Sequence, residues 1–206
     1  AGRFGPMNPL QSTSKALLSV LWPPLLLSIA SWVGAKSSYL LFHSLAELFS
    51  IGVAFCALVV ATSSMRYTRN HFVAFVSVAI GWCAALDLLH TLAFKGMQLL
   101  PGDSANPATQ LWIAARFMQA PGLLIAPILL APVGIAWIHL AFGTCATTFA
   151  LLIFLGYFPD AYIDGEGLTA FKIYSEYVII ALLGVSAVLL WQRRLRMSPS
   201  VLYGML

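Results

Sequence analysis

Two pairs of ionisable side chains stand at helical spacing inside long apolar runs of the sequence. His43 and Glu47 are four residues apart, and Asp87 and His90 are three apart. Either spacing puts both side chains of a pair on one face of a helix. Imidazole nitrogens together with carboxylate oxygens suit zinc, copper, iron or manganese. The two pairs therefore predict a transition-metal site formed by His43, Glu47, Asp87 and His90.

Three further polar residues lie within apolar runs: Gln110, Arg116 and Glu176. An ionisable residue inside a membrane span costs about 2.5–3.5 kcal/mol on insertion scales, and such residues usually face a partner or a cavity. These side chains are therefore candidates for binding a polar ligand.

The same cluster of polar residues is compatible with three alternatives to a metal site. The polar side chains could join helices without any ligand, for example by pairing Arg116 with Glu47 or Glu176. A small polar or quinone-like molecule could occupy the same cavity. A haem held axially between His43 and His90 is the third alternative, and it would make the protein a membrane redox protein or enzyme.

The elements that carry these residues follow from the composition. The chain has 206 residues, of which 60% are hydrophobic and 9% charged, and its mean hydropathy is +0.88. Soluble domains contain about 25% charged residues. This composition excludes a soluble enzyme, a nucleic-acid-binding domain and a disordered chain, and it indicates a protein embedded in the lipid bilayer.

Six apolar runs are long enough to cross a bilayer as helices, which takes about 20 residues. The sequence thus predicts an all-α polytopic membrane bundle of six transmembrane helices. The predicted spans cover residues 16–33, 39–62, 72–94, 109–131, 133–157 and 171–191. The fourth and fifth spans are joined almost directly, through Ala131 and Pro132, and Trp112 is expected to anchor a helix end at the membrane interface.

The distribution of basic residues predicts the orientation. With the N-terminus in the cytoplasm, seven basic residues fall inside and three (Lys36, Lys95 and Lys172) fall outside, in accord with the positive-inside rule. Both termini are then cytoplasmic, in an arm over residues 1–15 and a basic tail over 192–206. In this orientation, the polar residues of spans two, three, four and six share a layer in the outer half of the membrane. His139 lies apart from that layer, near the inner end of span five.

Four ordered segments resemble a known family, the third type of bacterial membrane-associated sensor domain. The resemblance covers the chain from about Tyr39 to Trp191. The matching segments are FHSLAELFS (42–50), DLLHTLAFKGM (87–97), TQLWIAAR (109–116) and GLTAFKIYSEY (167–177).

This resemblance implies a sensory module of the bacterial inner membrane that is not itself an enzyme. Such domains usually precede a histidine kinase, diguanylate cyclase or PAS module in the cytoplasm, so a signalling partner is expected in cis or in trans. No recognisable output module occurs in these 206 residues. A homodimer is compatible with this role. The motif positions add Lys95 to the expected ligand-binding residues Gln110, Arg116 and Glu176.

Overall fold

A computed structural model describes residues 21–22, 25–26, 28–29, 32–34, 36, 38–68, 70–97, 99, 104–128 and 133–193. The chain divides into two compact units, 1–46 and 47–206. The predicted N-terminal arm lies outside the described residues, as do much of the first predicted span and the tail from residue 194 onward.

The described chain is helical apart from one small hairpin, which confirms the all-α class. Five long helices lie wholly within the described residues, and each contains the middle of one predicted span. They are α1 (Tyr39–Thr68), α2 (His71–Ala93), α3 (Asn106–Ile125), α4 (Ile135–Phe154) and α5 (Ala170–Arg193). Strands β1 (Tyr162–Ile163) and β2 (Gly167–Leu168) pair antiparallel between α4 and α5.

Four of the five helices are long and apolar enough to cross a membrane. Within α1, α2, α4 and α5, the candidate spans are Tyr39–Met65, His71–Ala93, Ile135–Phe154 and Ala170–Gln192. Helix α3, the fourth predicted span, is not among them. The structure therefore supports a membrane protein with four candidate spans in its described part.

Helix α3 occupies the centre of the second unit, where it contacts α2, α4 and α5. Residues on several of its faces are buried, and both Leu111 and Ile113 are 0% exposed. A helix surrounded by other helices meets protein side chains instead of lipid, so it can carry polar residues that would be unfavourable on a lipid-facing helix. This position explains why α3 is less apolar than its neighbours and yet has many buried residues.

The connection between α3 and α4 is longer than the sequence predicts. Helix α3 begins with Pro107 in its first turn and ends at Ile125, and α4 begins only at Ile135. The predicted joint at Ala131 and Pro132 is therefore wrong. Proline has no N–H to donate, so Pro127 cannot extend the helical hydrogen-bond ladder, and α3 stops before it.

A small residue lets α2 and α4 approach closely. A side chain at Gly143 would meet the Trp82 ring at 2.9 Å, so only glycine fits there. The Trp82 indole N–H donates to Nδ1 of His139 at 3.2 Å. His139 thus has an interhelical role, consistent with its separation from the other polar residues.

The hairpin leads directly into α5. Gly165 and Gly167 have φ of 91° and 95°, a backbone conformation that glycine adopts without strain. The Thr169 hydroxyl donates to the Asp160 carbonyl at 2.7 Å and accepts the Lys172 amide at 3.3 Å. This second contact caps the first turn of α5, so the position of the hairpin and the start of α5 are linked.

Candidate functional site

An ion pair joins α2 to α3 near the centre of the second unit. Arg116 Nη2 contacts Asp87 Oδ2, and Arg116 Nη1 donates to Gln119 Oε1. The two ionic side chains are only 21% and 14% exposed, respectively. The Asp87 carboxylate therefore neutralises the guanidinium in an environment where an unpaired charge is unfavourable.

Two polar atoms of this ion pair lack hydrogen bonds within the part of the chain that the structure describes. Asp87 Oδ1 and Arg116 Nε are buried and have no hydrogen-bond partner among the described residues. A buried polar atom without a partner costs about 1–3 kcal/mol. An alternative packing that supplies these two partners would be favoured by that amount.

The ion pair borders a cavity of about 330 Å³ that lies entirely within the second unit. This volume is at the lower end of the range for small-molecule sites. Its polar lining combines two carboxylates, a guanidinium, an amide and a hydroxyl. The lining residues are Glu47, Ser50, Ile51, Ala54, Ile80, Cys83, Ala84, Asp87, Trp112, Arg116 and Gln119.

Helices α1, α2 and α3 supply these walls. Ile51 and Ala54 of α1 pack against Ala84 of α2, which fixes the apolar side of the cavity. Glu47 is one turn from Ile51 on α1, and Asp87 is three residues from Ala84 on α2, so the carboxylates emerge beside this apolar contact. Ser50 is exposed, so the cavity is open on that side.

Trp112 connects the cavity to α5. Its ring lies 5.9 Å from the Arg116 guanidinium carbon and 4.2 Å from the Lys172 ammonium. Lys172 is 8% exposed, and its ammonium pairs with Glu176 one turn further along α5. A cation over an indole face is attracted by the ring's π electrons. The Trp112 ring thus packs against buried core residues of the bundle, and its place at a membrane interface stays a prediction.

Glu176 and Arg116 do not form the pair that was considered from the sequence. Glu176 pairs with Lys172 of its own helix, and Arg116 pairs with Asp87. The four-residue spacing of Lys172 and Glu176 puts them on one helix face, which favours this local contact.

Two of the expected ligand-binding residues hold the loop before α5. The Gln110 amide donates to the carbonyls of Phe158 and Pro159 at 3.1 and 2.9 Å. Lys95 lies 3.8 Å from Asp164 in an exposed ion pair. In the structure both side chains contact the segment between α4 and α5, outside the cavity lining.

Asn106 completes this anchoring, and the sequence reasoning missed it. Its amide nitrogen donates to Asp160 at 2.7 Å, and its oxygen accepts the amides of Ala161 and Tyr162 at 2.8 and 3.0 Å. No local signal could have found it, because its partners lie 54 to 56 residues away in the sequence.

His90 is oriented by the backbone of α3. Its Nδ1 lies 2.7 Å from the Ala108 carbonyl oxygen, and this oxygen can only accept, so Nδ1 carries the hydrogen. In neutral imidazole the lone pair then resides on Nε2. This arrangement is typical of histidines that bind metals.

The four expected metal ligands are not equivalent in the structure. Glu47 lines the cavity, and His43 lies one turn before it on α1, within the first unit, where the Tyr39 ring stacks on it at 6.0 Å. The Asp87 carboxylate pairs with Arg116 through Oδ2, and the positive guanidinium there would oppose the approach of a metal cation. A metal held by His43, Glu47, Asp87 and His90 stays a prediction.

Together, these features define a class of protein. It is a helical membrane protein with a small polar cavity, and one aromatic ring in the cavity lining also contacts a long helix. The chain belongs to the MASE3 family of membrane-associated sensor domains, whose family model matches residues 35–206. The family assignment made from the four sequence motifs is thus confirmed. No curated protein and no solved structure matched the chain.

Proposed function

We propose that this chain is a sensory module of the bacterial inner membrane, which binds a small ligand in the cavity beside Asp87 and Arg116. Binding would change the packing of α2 and α3, and α5 would pass the change to a cytoplasmic kinase, cyclase or PAS module. One observation carries this function: Trp112 lines the cavity, and its ring also contacts the Lys172 ammonium of α5.

A sensor needs two packings that its ligand distinguishes, because a ligand with equal affinity for both shifts nothing. The unpartnered atoms of Asp87 and Arg116 supply a physical basis for a second packing. A ligand that displaces or completes their ion pair moves the guanidinium, which lies beside Trp112. Movement of that ring then acts on Lys172.

The direction of the relay rests on the six-span topology, with both termini in the cytoplasm. Helix α5 has 24 residues, and a helix rises about 1.5 Å per residue, which is enough to cross the hydrocarbon core. Its first turn carries Lys172 near the hairpin, and its last described residue is Arg193. A rigid helix of this length would carry a change at Lys172 to the opposite membrane surface.

The test replaces the ring at the junction. In a chimaera that joins a diguanylate cyclase after Arg196, Trp112→Phe should shift the cyclase output, because a smaller ring with a weaker π face holds Lys172 less well. The matched control is Trp137→Phe, since Trp137 on α4 is 69% exposed and lies outside the cavity. Equal outputs from the two variants and the unmodified chimaera would contradict the proposed relay.

A transition metal at the same end of the bundle is a second candidate for what the module senses. The orientation of His90 by the Ala108 carbonyl favours it, because Nε2 then keeps the lone pair that a metal needs. Elemental analysis of detergent-purified protein, loaded in turn with zinc, copper, iron and manganese, tests it. His90→Ala and His43→Ala should remove bound metal, whereas His139→Ala should not. Equal metal contents in all variants, or none in any, would contradict a metal site.

A further inference from the structure

We infer that the cavity beside Asp87 and Arg116 selects a small organic cation, such as a primary ammonium on a short apolar stem. This inference rests on the proposed sensory function, in that it names the class of ligand for the same cavity. Three properties of the cavity support it: the charges of its lining, its size and its apolar wall.

The charges around the cavity sum to one negative unit. Glu47 and Asp87 are its carboxylates, and Arg116 is its cation. Lys172 lies behind Trp112 and pairs with Glu176, so that pair adds no net charge. Asp87 is likewise compensated by Arg116, and the Glu47 carboxylate is left as the uncompensated charge of the lining.

An uncompensated carboxylate in a membrane protein attracts a cation strongly. A net negative cleft with apolar walls attracts cations more strongly than the same charge in bulk water would. Arg116 cannot serve as this cation, because its charge is already paired with Asp87. A cation that enters the cavity would supply this charge.

Size and shape restrict which cations fit. The volume of about 330 Å³ exceeds what one ion or water needs and matches a small organic molecule. Ile51, Ala54, Ile80 and Ala84 form an apolar wall beside the charged groups. A short alkyl stem would lie against that wall, while its ammonium would approach Glu47.

Cys83 gives a way to read the charge preference directly, since its thiol is a wall of the cavity. Two reagents of similar size, ethylammonium methanethiosulfonate and ethylsulfonate methanethiosulfonate, differ in the sign of their charge. The thiolate attacks the reagent's sulfenyl sulfur, a disulfide forms, and methanesulfinate leaves. The ratio of the two rates cancels the intrinsic reactivity of the thiol, and the same ratio for free 2-mercaptoethanol in the same buffer serves as the reference.

Peptide mass spectrometry of the whole chain then gives both rates at Cys83. The ammonium-to-sulfonate ratio at Cys83 should exceed that of 2-mercaptoethanol by about tenfold or more. Glu47→Gln should abolish the excess, Glu47→Asp should retain it, and Glu166→Gln should leave it unchanged. The last variant removes the same charge from the exposed hairpin. An equal ratio for Cys83 and 2-mercaptoethanol, a preference for the sulfonate, or a Cys83 that reacts with neither reagent would overturn the inference.

A protection experiment tests binding with the probe itself. n-Butylammonium should slow labelling of Cys83 by uncharged methyl methanethiosulfonate, whereas butyrate and butanol should not. Equal protection by all three, or stronger protection by butyrate, would overturn the cation preference. If n-butylammonium protects Cys83 and Trp112→Phe leaves the cyclase output unchanged, the ligand class stands and the relay fails. The reverse result leaves the relay and removes the ligand class.

Discussion

The Lys172 ammonium lies 4.2 Å from the centre of the Trp112 ring while it pairs with Glu176 on its own helix. One side chain of α5 thus contacts the cavity helix α3 and a carboxylate one turn away. Because Lys172 is buried, its positive charge is stabilised mainly by these two partners. When one of them is removed, the other becomes the main stabilising contact.

This relationship predicts the effect of Glu176→Gln. The variant should fold, because the amide can still accept from Lys172, but it removes the charge that fixes the ammonium. We expect the cyclase output of the chimaera to change while cation-selective labelling of Cys83 is kept. Unchanged output together with normal membrane levels would show that the Lys172–Glu176 pair has no part in the relay. Loss of folding would assign Glu176 a structural role.

The Asp87–Arg116 pair predicts a large effect on stability. Removing one member of a buried ion pair typically costs about 3–5 kcal/mol, because the other charge is left uncompensated. Asp87→Asn and Arg116→Gln should each lower the free energy of unfolding by about 3 kcal/mol, and the double variant by less than their sum. The measurement is reversible unfolding in mixed micelles.

Lys95→Gln is the matched control for these variants, because the Lys95–Asp164 pair is about half-exposed. Exposed pairs contribute about 0–1 kcal/mol, so Lys95→Gln should have little effect. Equal losses for Lys95→Gln and Arg116→Gln would contradict the buried role of the pair.

Asn106 predicts the stability of the loop before α5. Asn106→Ala removes three hydrogen bonds to Asp160, Ala161 and Tyr162. At about 1 kcal/mol for each, the loop should open more readily, by about 2–3 kcal/mol, and be cleaved faster by added protease. Glu166→Gln on the same hairpin should leave the cleavage rate unchanged. Similar rates for both variants would show that Asn106 does not anchor the loop.

The distribution of basic residues predicts the topology. In a variant whose native cysteines are replaced, Glu166→Cys should react with a membrane-impermeant maleimide on intact cells. Tyr67 is 88% exposed near the C-terminal end of α1, which the predicted topology puts in the cytoplasm. Tyr67→Cys should therefore react only after lysis. Labelling of Tyr67→Cys on intact cells would reverse the orientation and, with it, the direction proposed for the relay.

Much of the helical architecture follows from the sequence, since apolar runs and helix spacing are local properties. The five described helices occupy predicted spans, and the motifs around His43, Asp87, Arg116 and Glu176 indicate the family. The ends of α3 were less predictable. Its prolines mark several possible stops, and only the contacts of the final turn decide among them.

The tertiary structure decided which polar side chains pair with each other. The sequence suggested Glu47 or Glu176 as the partner of Arg116, whereas the contact of α2 with α3 gave it Asp87. Gln110 bonds to the loop between α4 and α5 and therefore lies outside the cavity lining. Trp112, on the same buried helix, is part of that lining. Spacing along a helix fixes which side chains share a face, whereas the partner across the interface depends on how the helices cross. That geometry is set by the packing of many side chains at once.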